Sequence, residues 1–419
     1  MLLLYSSYFF KYISILPLRT FISIIRPTKS VIKDDRKRGM LSGGIRLSSW
    51  NEDADGWYSL GLANLAEGRT DDAINAFQKA VKIKPDIAKA WARLGTIHRE
   101  QGRFEEAINA YKKLISYSPE LAKTWRFLGL TYYEAGKMEQ SAQAFRMSLI
   151  QEPDNPTSHY NLGRALFELG DFEEAENEFR ATIRLGGSDA DTWSMLGIVN
   201  LELDRLNEAT NCFEKALKID PDREDLWYEL GRTLEESGHL DDAIHAYSKA
   251  LKINEEFTEA WAALGSCKYS LDKYDAAIIA IRRAAELDND NPTIAYNLGR
   301  VNHDAGYLEE AVKAYKKALD IFDRDPDTWK SLGNALLELE DLDDAIRAFN
   351  ISLDLRPDDM ETVYALGLAF VAKGDIKNAL KRFDSALLLD PENPDVKESI
   401  RKMKSIIEKQ QEDSDKDIA

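Results

Sequence analysis

The residues of this chain best suited to acid–base, nucleophilic or metal chemistry are its five histidines and two cysteines: His98, His159, His239, His245, His303, Cys212 and Cys267. None of them stands in a pattern that such chemistry requires. The sequence has no glycine-rich phosphate loop, no His-Glu-x-x-His pair for zinc and no serine elbow. We therefore predict no catalytic residue, no cofactor and no metal, and we expect that the chain is not an enzyme.

An acidic run at residues 323–327, Asp-Arg-Asp-Pro-Asp, could offer carboxylates to a calcium ion. A calcium loop of the helix–loop–helix kind needs glycine at its sixth position and a glutamate at its twelfth. Thr328 and Asn334 stand at those two positions. We interpret the run as a solvated link between helices.

The composition indicates a folded protein that does not bind nucleic acid in general. The chain of 419 residues carries a net charge of −18, and 44% of its residues are hydrophobic. Nucleic-acid binding needs a basic surface, whereas this charge favours solubility or a basic partner. The two cysteines have no metal-like spacing, and we interpret them as packing residues in a reducing compartment.

The elements that would position any binding residue are set by a fixed period. Seven tryptophans lie at intervals of 34 residues or multiples of 34: Trp57, Trp91, Trp125, Trp193, Trp227, Trp261 and Trp329. A period in this range is typical of a repeat array, in which each unit buries its apolar face on its neighbours. Such an array binds through a surface, so we expect its function to lie on a surface instead of in a catalytic cleft.

Each period contains two helices joined by a tight turn. In the first unit, residues at i, i+3, i+4 and i+7 follow one helix face, and a second stretch spaced i, i+4, i+7 follows another: Trp57, Leu60, Gly61 and Asn64, then Ala73, Phe77 and Ala80. Gly68 separates the two stretches and can take the left-handed conformation that ends a helix. Glycine inside a helix costs about 1 kcal/mol against alanine, so we attribute the recurring Leu-Gly pair to close approach of the partner helix.

This pattern resembles the tetratricopeptide repeat (TPR), whose signature is a large residue, Leu-Gly, and a later alanine, aromatic, alanine and proline. Ten consecutive units are similar to it, and the Leu-Gly pair occurs in all ten, from Leu60-Gly61 to Leu366-Gly367. The resemblance covers residues 54–393 and implies an all-α, right-handed α-solenoid (a TPR superhelix) of helical hairpins. We further predict a capping helix over 394–409 and an acidic, disordered tail over 410–419.

A longer period of 136 residues, or four units, is superimposed on the first. The segment Tyr-Asn-Leu-Gly-Arg stands at residues 160–164 and again at 296–300. We interpret this longer period as duplication of a four-unit block.

Departures from the family pattern also occur, and each is expected to loosen packing locally. His159, Ala295 and Val363 replace the tryptophan, Ser141 replaces the alanine, and Ile281 replaces the aromatic residue.

The N-terminal extension, residues 1–53, differs from the rest because it is basic and apolar. It is open to three interpretations. It could be a membrane anchor, although Lys11 and Arg19 interrupt the apolar run at a cost of about 2.5–3.5 kcal/mol each near a bilayer centre. It could be a transit-like leader. Translation could instead begin at Met40, which we favour. We accordingly predict a cytoplasmic protein, with membrane association through residues 1–39 as the alternative.

In the TPR family the first helices of successive units line a concave groove that holds peptides or other proteins. By position, the resemblance implies groove residues in units two to four, which are Lys89, Arg93, Arg99, Lys123, Arg126, Tyr160, Asn161 and Arg164, with Tyr133 and Phe167 between them. Units five and six place acids there: Asp191, Glu202, Asp225, Glu229, Glu235 and Glu236. We predict that an acidic peptide lies in the basic part. The alternative is that these charges only solvate an exposed face.

The resemblance implies a non-catalytic scaffold or adaptor for protein or peptide partners. Two alternatives stay open. TPR arrays precede the catalytic domain in protein O-linked N-acetylglucosamine transferases, so this chain could be the substrate-recruiting subunit of such an enzyme. It could also be a membrane-tethered assembly factor, which would require residues 1–39.

Overall fold

The computed structural model of the protein describes residues 53–418, with side chains described as far as Glu408. The N-terminal extension up to residue 52, with its anchor, leader and Met40 interpretations, lies outside the described residues. Within residues 53–418 there are 21 helices and no strand. The predicted fold class, an all-α solenoid of helical hairpins, is therefore confirmed.

The chain divides into two compact units that meet in sequence at Ile97 and His98. The first contains α1 (Ala54–Ala66) and α2 (Thr70–Ile83), and α3 (Ala88–Glu100) spans the boundary. The second contains α4 (Phe104–Tyr117), α5 (Ala122–Glu134), α6 (Met138–Gln151), α7 (Pro156–Leu169), α8 (Phe172–Arg184), α9 (Ala190–Glu202), α10 (Leu206–Ile219), α11 (Glu224–Glu236), α12 (Leu240–Ile253), α13 (Thr258–Ser270), α14 (Tyr274–Leu287), α15 (Pro292–Asp304), α16 (Leu308–Ile321), α17 (Pro326–Glu338), α18 (Leu342–Leu355), α19 (Met360–Ala372), α20 (Ile376–Leu389) and α21 (Pro394–Ile418).

Capping residues determine where several of these helices begin. The Asn155 side chain accepts a hydrogen bond of 3.0 Å from the Ser158 amide, and Pro156 occupies the first helical position. The same Asx-Pro start recurs at Asn291 and at Asp325. A side-chain cap satisfies an amide that the helix itself leaves unpaired, and proline has no amide to satisfy. These starts fix the phase of α7, α15 and α17.

The turn inside each hairpin requires a left-handed residue. Gly170 takes this conformation with φ of 82° after α7. Where the chain has no glycine at this position, Asp204, Asp272 and Glu340 take positive φ values of 57°, 56° and 61°. The turn geometry is thus kept even at a conformational cost to those side chains.

Close approach of the two helices of a hairpin explains the glycine of the Leu-Gly pair. A Cβ atom on Gly333 would lie 2.6 Å from Cε1 of Phe349, which is closer than real carbon contacts allow. Phe349 is fully buried, and it packs in a core with Leu332, Leu366 and Ala369. The aromatic ring therefore fills the space above the glycine and also reaches the next hairpin, as the sequence predicts.

The repeated tryptophan ties its helix to the preceding link. The indole N–H of Trp227 donates to the Pro221 carbonyl oxygen at 2.9 Å, and Trp329 donates to that of Asp323 at 2.8 Å. His159, which departs from the pattern, keeps this bond: its Nε2 lies 2.8 Å from the Pro153 oxygen, while Nδ1 lies 2.5 Å from the Glu178 carboxylate. The link between hairpins thus stays tied at this unit.

Helix α21 packs on the last hairpin and covers its apolar end. Val396, Ile400 and Met403 are buried there in a core with Phe383. The predicted stripe on this helix is present, but the prediction that the helix ends at residue 409 is wrong, because the backbone stays helical to Ile418. The added residues include glutamine, glutamate and lysine and no glycine or proline, so nothing in them stops a helix.

Both cysteines are packing residues, and we expect their thiols to be unreactive in the folded protein. Cys212 is 6% exposed and Cys267 is fully buried. Burial raises the pKa of the Cys212 thiol to about 11 and that of Cys267 to about 12. Because the thiolate is the reactive form, iodoacetamide at about pH 8 should label neither residue before unfolding and both after it. Rapid labelling of the native protein, seen by mass spectrometry, would contradict this assignment.

Candidate protein-binding surface

Of the two predicted groove residues in the first compact unit, Lys89 contacts other residues of that unit and Arg93 is exposed. The Nζ of Lys89 lies 2.5 Å from the Asp55 carboxylate and 4.5 Å from the ring centre of Tyr58. Arg93 on the same helix is exposed. Lys89 therefore neutralises an acid of its own unit, and Arg93 presents its charge to solvent.

In the second compact unit the relevant surface is formed by the first helices of the hairpins, α5, α7, α9, α11, α13, α15, α17 and α19, together with the end of α3. We call it the first-helix face. Arg99, at the end of α3, forms an ion pair of 2.9 Å with Glu134 of α5. Burial raises the pKa of the Glu134 carboxyl, which Arg99 partly opposes. Arg99 thus joins two neighbouring helices.

Arg126 and Lys123, both on α5, have different surroundings. Arg126 forms an ion pair with Glu152, the residue that follows α6. Lys123 is exposed, and its Nζ lies 5.6 Å from the ring centre of Phe127. A surface ion pair contributes about 0–1 kcal/mol, so an acidic ligand could compete for Arg126 at small cost.

Arg164 on α7 is held between two tyrosines. Its guanidinium carbon lies 4.3 Å from the ring centre of Tyr133 on α5 and 5.9 Å from that of Tyr160 on its own helix. Among the described residues no carboxylate forms an ion pair with Arg164. The Tyr133 hydroxyl donates to Glu168 at 3.3 Å. The structure thus brings Tyr133, Tyr160 and Arg164 together as one cluster, which we call the first Arg–Tyr cluster.

The tyrosines of this cluster are neutral donors at physiological pH. Burial raises the pKa of Tyr160 to about 12, and it also raises the pKa of Tyr133. The Tyr160 ring packs edge-on against Phe179 at 5.7 Å between centroids, which holds it in place. The remaining predicted residue, Asn161, donates its amide to the Thr157 carbonyl at 2.8 Å and so is tied to its own helix.

The acids predicted for the middle of the face are largely engaged within the protein. Asp191 and Asp225 both bind Arg223, at 2.9 Å and 2.7 Å. Glu235 accepts a hydrogen bond of 2.7 Å from the hydroxyl of Tyr247. Glu229 is only 5% exposed. These carboxylates therefore contribute less to the surface charge than the sequence predicts.

Two further kinds of site are absent from the part of the chain that the structure describes. No group of three histidine, cysteine or acidic side chains there is arranged to hold a metal ion. No helix within residues 53–418 combines the length and the apolar character needed to cross a bilayer.

Family models match most of the helical array. The C-terminal domain of cilia and flagella-associated protein 70 matches residues 87–294. One tetratricopeptide repeat model matches residues 274–326 and 331–395, and another matches residues 54–87. No curated protein matches the chain.

Several solved structures are similar to parts of the chain. The C-terminal part of a TPR repeat-containing protein from Cytophaga hutchinsonii is 16% identical, covers 57% of this chain and 99% of its own, and has a TM-score of 0.52. YrrB, a TPR protein with an unusual peptide-binding site, is 19% identical over 44% of this chain and 95% of its own, with a TM-score of 0.41. MamA is 26% identical over 40% and 97%, with a TM-score of 0.38. The first of these shows a shared fold.

Proposed function

This chain is a tetratricopeptide repeat protein, and on that premise we propose that it is a non-catalytic scaffold whose first-helix face binds acidic protein segments. Arrays of stacked repeats present extended surfaces of this kind to partners. Membership of this family supports a role in protein interaction in general and specifies no partner. The preference for acidic segments comes from the first Arg–Tyr cluster.

The proposal rests on the contacts of Arg164, which are made with tyrosine rings instead of an ion-paired acid. Other predicted cations of the face, Arg99 and Arg126, already bind acids of the protein. Arg164 instead lies on the faces of Tyr133 and Tyr160. A guanidinium stacked on a ring keeps its in-plane N–H groups, which can form two parallel hydrogen bonds to a carboxylate. The cluster therefore offers a preorganised donor pair to a ligand.

The proposal is tested with a synthetic peptide that contains a run of glutamates and a photoreactive phenylalanine analogue. We expect cross-links at Tyr133 and Tyr160, and at least a tenfold lower cross-linking yield there in Arg164→Ala. A hydrogen bond to a charged group contributes about 1.5–3 kcal/mol, which corresponds to such a loss. The yield is measured by peptide mass spectrometry, and it should also fall as salt is added.

A matched control is Lys316→Ala, which removes one exposed positive charge from a second helix, α16. It should leave the yield at Tyr133 and Tyr160 unchanged. An unchanged yield in Arg164→Ala would reject the proposal, as would cross-links spread without preference over second helices. Circular dichroism of each variant checks that the array is still folded. Changing Arg93, Arg126 and Arg164 together to glutamate should abolish the cross-links.

A further inference from the structure

A second cluster of the same composition lies four hairpins further along the chain. The guanidinium carbon of Arg300 on α15 lies 4.8 Å from the ring centre of Tyr269 on α13. Tyr269 donates its hydroxyl to Asp304. Tyr296, one turn before Arg300, packs against the ring of Tyr315 at 5.8 Å between centroids. We call Tyr269, Tyr296 and Arg300 the second Arg–Tyr cluster.

The two clusters correspond residue by residue at the spacing of 136. Arg300 takes the place of Arg164, and the tyrosine on the preceding first helix is Tyr269 in place of Tyr133. The acid that accepts the tyrosine hydroxyl is Asp304 in place of Glu168. A charged residue near the first cluster has no counterpart of the same sign near the second, because Glu235 stands 136 residues after Arg99. The arginine and the tyrosine ring on the preceding first helix are therefore shared, while a flanking charge differs.

Arg300 has hydrogen-bonding capacity that the protein does not use. Among the described residues no carboxylate forms an ion pair with it, and its Nε is buried without a hydrogen-bond partner. Two other arginines of the second unit behave differently: Arg223 binds an aspartate at 2.9 Å, and Arg356 binds one at 2.8 Å. A buried donor with no partner costs free energy, which a ligand that orders the guanidinium can recover.

The neighbouring acids indicate which anion each cluster accepts. Glu168 and Asp304 accept hydrogen bonds from the tyrosine hydroxyls and place negative charge beside the arginines. Like charges repel, so a group with one negative charge is tolerated better than one with two. The hydrogen bond to Asp304 also raises the pKa of Tyr269 to about 12, which keeps that hydroxyl neutral. A side-chain carboxylate fits these conditions better than a phosphate.

We infer that Arg300 with Tyr269 and Tyr296 forms a second carboxylate-binding site, and that one partner chain occupies both clusters through two separate acidic segments. This inference rests on the proposed function of the first cluster. It extends that function from one contact to two, so that two weak contacts combine into tighter binding.

The fold sets the length that such a partner must have. Eight helix-to-helix steps separate α7 from α15. At about 9 Å for each step the path between the clusters is at most roughly 70 Å. An extended chain covers about 3.4 Å per residue, so about 20 residues between the two acidic segments suffice to span it. A short acidic peptide can fill only one cluster at a time.

The test uses the full chain, the photoreactive glutamate peptide and isothermal titration calorimetry. The single peptide should bind wild type with two equivalents, and Arg164→Ala and Arg300→Ala with one equivalent each. Cross-links at Tyr269 and Tyr296 should be lost in Arg300→Ala and kept in Arg164→Ala. A peptide with two glutamate runs, joined by a glycine–serine linker of about 40 residues, should bind wild type at least tenfold more tightly than it binds either variant.

The possible results distinguish failure of the second site from failure of the function proposed for the first Arg–Tyr cluster. One equivalent in wild type, with Arg300→Ala unchanged and Arg164→Ala inactive, would overturn the second site and leave the proposed function standing. Two equivalents without tighter binding of the double peptide would overturn the single-partner claim. No effect of Arg164→Ala would reject the proposed function itself. Arg300→Lys, which keeps the charge but not the paired donors, should resemble Arg300→Ala, and circular dichroism confirms that both fold.

Discussion

Replacing Phe349 with alanine is expected to lower the free energy of unfolding by about 3–5 kcal/mol. The ring is fully buried and packs with Leu332 of its own hairpin and with Leu366 of the next. Its loss leaves a cavity at the junction of three helices, α17, α18 and α19. Since the stability of a repeat array is a sum of units and the contacts between neighbours, the hairpins beyond the cavity should also separate more easily.

Denaturant unfolding followed by circular dichroism measures this change. The matched control is Phe322→Ala, because Phe322 is 51% exposed and a surface substitution changes stability by about 0.5 kcal/mol or less. Wild type and control should unfold at nearly the same denaturant concentration. A loss below about 1 kcal/mol in Phe349→Ala would mean that the cavity closes or that the ring is not packed as described.

The effect of Gly333→Ala on the free energy of unfolding is expected to change sign with the residue at position 349. In wild type the new Cβ would lie 2.6 Å from Cε1 of Phe349, and such overpacking costs about 1–3 kcal/mol. In the Phe349→Ala background the ring is absent. The alanine then gains about 1 kcal/mol of helix propensity over glycine and fills part of the cavity.

The four proteins of this double-mutant cycle are compared by denaturant unfolding. The coupling between the two positions should be about 1–3 kcal/mol, which is the cost of the clash that Phe349→Ala removes, because the gain in helix propensity is the same in both backgrounds and cancels. If Gly333→Ala destabilised both backgrounds equally, the glycine would be needed for some reason other than the ring. If it stabilised both, the two helices would be further apart than the structure shows.

The fold could be predicted from the sequence because most units repeat the same residue types at the same spacing. Leu-Gly pairs, an alanine and an aromatic residue occur in fixed phase, and each has a local physical cause. Even the left-handed turn persists where glycine is replaced, at Asp204 and Glu340. The end of α21 was predicted wrongly, since its boundary depends on propensity in a segment without stop signals.

The candidate site could be predicted only in part. The positions on the first helices follow from the repeat, but the partners of the cations do not. Arg99 finds Glu134, and Arg126 finds Glu152, through the rotation of neighbouring helices. The sequence shows only that these acids exist. A list of charges therefore overstates how basic this part of the surface is.

The second Arg–Tyr cluster was missed although its signal was in the sequence. The repeated Tyr-Asn-Leu-Gly-Arg segment contains both Arg164 and Arg300. Basic side chains surround only the first in the sequence, because the second lies among acids. What the two share is the tyrosine on the preceding first helix, Tyr133 or Tyr269, and that contact becomes visible only when the helices are placed side by side.

Within the series from α4 to α21, each helix packs on the next one in the chain. A mechanical load applied along the second unit would therefore pass through these contacts in series. The weakest of them would open first, and one released hairpin of 34 residues would add about 110 Å of extended chain. A scaffold built in this way can lengthen in steps under tension while its remaining hairpins stay folded.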